Sequence, residues 1–70
     1  MMFRPLNKNV LIKLLGRDKK TFLSEGAVLM TGKGVRGIRS GDIVTFDDSK
    51  SKEVRLGKNK YLVINQNVIL

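Results

Sequence analysis

Apolar residues fall in short runs along this chain, separated by glycines and polar stretches. The run that organises the rest is Ile43-Val44-Thr45-Phe46, entered through Ser40-Gly41-Asp42. Its branched and aromatic side chains fit a pleated, half-buried surface, and Gly-Asp supplies the turn that starts it. The pattern predicts the central strand of a small barrel, with earlier strands as one wall and later strands as the other. Val10-Leu11-Ile12-Lys13-Leu14-Leu15, stopped by Gly16, predicts a first strand buried on much of both faces. Ala27-Val28-Leu29-Met30-Thr31, between Gly26 and Gly32, predicts a second. Glu53-Val54-Arg55-Leu56 alternates as a half-exposed strand should, Gly57-Lys58-Asn59-Lys60 is a hairpin connection, and Tyr61-Leu62-Val63-Ile64 is the partner strand. The chain closes with a turn, Asn65-Gln66-Asn67, and an apolar end, Val68-Ile69-Leu70, which pairs within its own subunit or with a neighbour.

The stretches between these runs read as loops. Arg4-Pro5-Leu6 cannot be a central strand, because proline removes a ladder donor and restricts the residue before it. Residues 16–24 break the periodicity and predict an exposed loop carrying one apolar pair, Phe22-Leu23; the alternative is that the pair tucks back under the barrel. Glycines at 32, 34, 37 and 41 describe an irregular barrel corner. Within it, Gly32-Lys33-Gly34-Val35-Arg36-Gly37 spells a dinucleotide-binding string, but no helix follows it, so the chemistry of that motif is excluded. Asp47 and Asp48 are adjacent, so on a strand they point to opposite faces, and they read as solvated turn acids.

Length narrows the picture. A chain of 70 residues buries only about 60% of its unfolded surface, so residues 1–70 form one marginal domain for which oligomerisation is a route to extra stability. The chain has no Cys and no His, which excludes disulfide staples and the usual zinc sets and leaves general acid-base work to isolated carboxylates and lysines. No catalytic residue, metal or cofactor is therefore expected. No apolar run reaches the roughly 20 residues that span a bilayer, and the start lacks a signal peptide's apolar centre, so the expected compartment is the cytoplasm. Fourteen Lys and Arg against six Asp and Glu give a net charge of +8, which attracts polyanions.

The order of the segments carries a resemblance. Phe3-Arg4-Pro5-Leu6 followed by Val10-Leu11-Ile12-Lys13, then Gly26-Ala27-Val28-Leu29-Met30-Thr31-Gly32-Lys33-Gly34, then Gly41-Asp42-Ile43-Val44-Thr45-Phe46, and finally Tyr61-Leu62-Val63-Ile64 with Val68-Ile69-Leu70, resemble the GroES-like co-chaperonins. The resemblance implies an all-β, irregular β barrel assembled as a seven-membered ring, in which first and last strands of adjacent subunits pair. It thereby implies that Phe3, Arg4, Pro5 and Leu6, with Val68, Ile69 and Leu70, lie at the subunit interface. It further implies capping of a nucleotide-bound, GroEL-like chaperonin ring to assist ATP-dependent protein folding, the ATP chemistry belonging to the chaperonin. In the family a mobile loop after the first strand docks on the chaperonin through an apolar tripeptide, and a hairpin before the central strand roofs the dome. Here residues 14–24 are all that connect the first two strands, the roof is reduced to residues 34–40, and the C-terminus is trimmed by a few residues.

In the shortened loop Phe22 and Leu23 take the tripeptide's place as the chaperonin-binding residues; placing Gly26-Ala27-Val28-Leu29 there instead would cost the barrel a strand. A second function class is a basic β-barrel nucleic-acid binder, with lysines on phosphate and Tyr61 or Phe46 stacking on bases. Four aromatics, one Tyr and three Phe, are few for that task. A third is a structural ring subunit that does not dock.

Overall fold

A computed structural model describes Pro5 and residues 7–70. The fold is all-β: strands β1 (Asn9–Arg17), β2 (Leu23–Thr31), β3 (Ile43–Asp47), β4 (Lys52–Leu56) and β5 (Asn59–Asn65) form one antiparallel sheet in the order β3-β2-β1-β5-β4. Single 3-10 turns at Asp48–Lys50 and Gln66–Val68 follow β3 and β5.

The core is built from β1 outward. Val10 and Ile12 face the interior and meet Ile64 and Leu62 across the β5 ladder, while Ile12 also opposes Val28 of β2. Phe46 completes this cluster with no exposed surface. Each of these side chains removes enough apolar area from water to contribute about 1.5–3 kcal/mol. Leu11 is buried on the opposite face, so β1 is covered on both sides over Val10–Ile12 until Lys13 turns to solvent. Gly26 makes this packing possible: a Cβ there would collide with the Ile12 Cγ2 methyl and lie 3.2 Å from the Phe46 ring. The glycine lets two core side chains close directly over the β2 backbone.

Three features differ from the pattern-based expectation. β2 begins at Leu23, and β1 continues to Arg17, so the expected loop 16–24 contracts to residues 18–22. The ladder extends because Gly16 pairs with Glu25 and Arg17 with Ser24, satisfying backbone groups that a loop would leave to water. Secondly, β3 is an edge strand whose one ladder among the described residues is with β2. Its apolar run reads as central because both faces carry apolar residues, yet Ile43 is 58% exposed. Thirdly, no ladder closes the sheet. The tail after β5 crosses instead to β3, where Ile69 makes an isolated bridge to Phe46 and the Leu70 N–H donates to the Thr45 carbonyl at 2.9 Å.

Residues 32–42 contain no strand, as the glycines suggest, but they are tightly held. Val28 donates to the Asp42 carbonyl and Gly41 to the Val28 carbonyl, the Gln66 side chain bonds both the N–H and the carbonyl of Arg36, and Val35 and Ile38 pack on the core.

Candidate functional site

The end of the sheet formed by β1 and β2 is an arm whose tip is the turn at residues 18–22. Irregularities in register at Leu11/Ile12 and Leu14/Gly16 twist β1 as it leaves the core and push Leu15 outward to 55% exposure. Hydrogen bonds close the turn. Asp18 N–H donates to the Leu23 carbonyl at 2.8 Å and Phe22 N–H to the Asp18 carbonyl at 3.1 Å. The Asp18 carboxylate accepts from Lys20 N–H at 2.8 Å.

This geometry displays Phe22. Its backbone is left-handed, with φ of 60°, a conformation a bulky L-residue adopts only where its surroundings impose it, and the residue is 76% exposed. Leu23 is different. It has rejoined the sheet, pairs with Asp47 and is half-buried. The predicted apolar pair is therefore split: Phe22 stands exposed on the turn while Leu23 begins β2.

The base is braced by residues that sequence reasoning assigned no role. Arg17 Nε lies 3.1 Å from the Asp48 carboxylate, tying the arm to the turn after β3. Asp47 accepts from both the hydroxyl and the N–H of Ser49, at 2.7 and 3.0 Å. These two hydrogen bonds, the hydroxyl's first, hold its carboxyl below the usual carboxylate range, outweighing the opposing effect of burial, with the charge of Lys50 the least of the causes. Ser24 is 2% exposed with an unpartnered hydroxyl, and it lines two adjoining open clefts. No signal local to Arg17 predicts its partner, because the ion pair exists only once β2 and β3 have brought the two together.

Of the residues expected at a subunit interface, Phe3, Arg4 and Leu6 lie outside the described residues, and Pro5 is buried. Val68 and Ile69 are half-buried against the molecule's own core, whereas Leu70 is 77% exposed. Ile43 stands exposed on β3, the strand that Leu70 joins through Thr45; sequence reasoning missed it, since a branched residue opening a strand reads as core. Phe46 cannot stack on a base, being wholly enclosed, and Tyr61 is half-buried. Among the described residues no group of His, Cys, Asp and Glu side chains comes together as a metal site, and no helix is long and apolar enough to cross a membrane.

No protein-family model matches the chain. Individual proteins do. The chain is 32% identical to proteins named Co-chaperonin GroES from Campylobacter jejuni, with all of this chain and 95% of the relative covered. It is 33% identical to the Co-chaperonin GroES of Fusobacterium nucleatum subsp. polymorphum, covering all of this chain and 96% of the relative. The Campylobacter alignment spans 82 positions against 70 residues here, leaving 12 positions with no counterpart in this chain. An all-β fold in which these segments occur in the same order, matched end to end at about a third identity in two bacterial genera, places the chain in the GroES co-chaperonin family.

Proposed function

We propose that the chain is a minimal co-chaperonin: a homo-oligomeric ring that caps a GroEL-like chaperonin chamber in the cytoplasm and assists ATP-dependent folding, with Phe22 as the docking residue of each subunit. The observation that carries this reading is the display of Phe22, an aromatic residue left mostly in water by a turn that hydrogen bonds at Asp18 close. Apolar surface presented this way is what a partner's pocket removes from solvent. Leu23, half-buried where the chain rejoins the sheet, is the second residue of the docking pair, and no catalytic step is assigned to the chain. The shortfall of 12 positions against the Campylobacter relatives agrees with a compact arm in place of a long loop. In the ring, Phe3, Arg4, Pro5 and Leu6 of one subunit meet Val68, Ile69 and Leu70 of the next.

Light scattering on the purified protein, with and without a bacterial GroEL-like chaperonin and nucleotide, tests both parts. A heptamer of 7.9 kDa subunits has a mass of about 55 kDa, seven times the chain's own, and comigrates with the chaperonin only when nucleotide is present. Because Phe22 is exposed, Phe22→Ser leaves the fold intact while weakening capture by about thirtyfold or more, the loss expected of an interface anchor worth 2 kcal/mol. Normal capture of a Phe22→Ser/Leu23→Ser variant would sink the docking assignment. A monomer indifferent to the chaperonin would sink the co-chaperonin reading.

A further inference from the structure

The turn that carries Phe22 also carries Lys19 and Lys20, both exposed. Acids lie close by, but none forms an ion pair with either ammonium group. Asp18 accepts the Lys20 backbone N–H, Asp47 is held by Ser49, and Asp48 by Arg17. Glu25 sits at the arm's base, opposite Gly16. Among the described residues the ion pairs are Arg17 with Asp48 and Lys60 with Glu53, so neither Lys19 nor Lys20 has a carboxylate within 4.0 Å. Lys19 borders the same cleft as Phe22. The tip thus combines one apolar knob with two unpaired ammonium groups, on a turn that the hydrogen bonds at Asp18 and the Arg17 brace hold in one shape.

We propose that Lys19 and Lys20 recognise carboxylates on the rim of the apolar groove that takes Phe22, so that the partner of the arm is a chaperonin groove with an apolar floor and an acidic edge. This rests on the co-chaperonin reading and adds the charge of the surface that must be met. Division of labour follows from the physics. The desolvated ring supplies affinity, and the solvated ammonium groups supply steering and discrimination, because rim charges act mainly on the association rate and are screened by salt.

The test uses the full chain against an immobilised bacterial GroEL-like chaperonin with bound ADP, at ionic strengths from about 0.05 to about 0.5 M, where the screening length shrinks several-fold. Wild type, Lys19→Gln/Lys20→Gln and Phe22→Ser are compared by association and dissociation rate, with thermal melts confirming that all three are folded. At low salt the lysine variant associates about threefold to tenfold more slowly, the range expected for losing two rim pairs, dissociates within about twofold of wild type, and converges on it at high salt. An association rate and salt slope equal to wild type, with Phe22→Ser still defective, would overturn the acidic-edge proposal and leave the docking assignment standing. Failure of wild type itself to bind would remove the co-chaperonin reading and this proposal with it.

Discussion

Asp47 ends β3 and folds its carboxylate back onto Ser49, starting the 3-10 turn that delivers Asp48 to Arg17. Its depressed pKa has a signed consequence. A carboxyl held below its unfolded value contributes stability above the usual carboxylate range and loses that contribution as pH falls through the depressed value. Ser49→Ala removes the larger of the two causes, so the Asp47 carboxyl carbon, followed by NMR, should titrate at higher pH than in wild type. An unchanged midpoint would show that the Ser49 hydroxyl does not set it. At this scale the sequence was informative about residue type and silent about backbone. Phe22 stands out as an apolar residue in a polar loop, but nothing in its neighbours announces a left-handed φ. Gly26 reads as the boundary of a strand and is instead inside one, because a glycine needed for close approach by Ile12 and Phe46 looks, from a single chain, like a glycine needed for a turn.

The strands themselves were largely legible, since branched runs bounded by glycine mark them. β3 and β5 cover the apolar runs, but β3 gains Asp47 and β5 gains Asn59, Lys60 and Asn65, so the expected connection over residues 57–60 contracts to Gly57-Lys58 as the β4–β5 ladder runs on; β4 gains only Lys52. The first half of β2 was hidden. Ser24-Glu25-Gly26 has little β propensity, and its extension is imposed by β1 on one side and β3 on the other. The β4–β5 hairpin is governed locally. Gly57 occupies the first central position of its two-residue turn with φ of 64°, where a side chain is strained. Gly57→Ala should therefore cost about 1 kcal/mol or more, seen as a drop in melting temperature of roughly 4–8 °C in a domain of this size. The absence of any drop would mean that the turn relaxes to another type.

At the scale of the whole molecule, what could not be read was strand order. Sequence places Ile43-Val44-Thr45-Phe46 between other strands, but pairing depends on which edges remain open after β1 has taken β2 and β5 as neighbours. Antiparallel neighbours in sequence pair readily, and β1–β2, β2–β3 and β4–β5 are such pairs; the β1–β5 ladder is the exception that joins them. That ladder matches Asn9–Ile12 with residues fifty or more positions later, Ile12 with Leu62 being the nearest in sequence. In kinetic terms the molecule is two locally encoded pieces that must find one another, and closing so long a loop before its contacts repay the entropy is slow. Refolding should thus be rate-limited at the β1–β5 seam. Ile64→Val, at the seam, should slow folding, and so should Val54→Ala, in the hairpin that forms before the seam closes; stopped-flow measurements in which Val54→Ala chiefly speeds unfolding would show that the hairpin forms after the barrier.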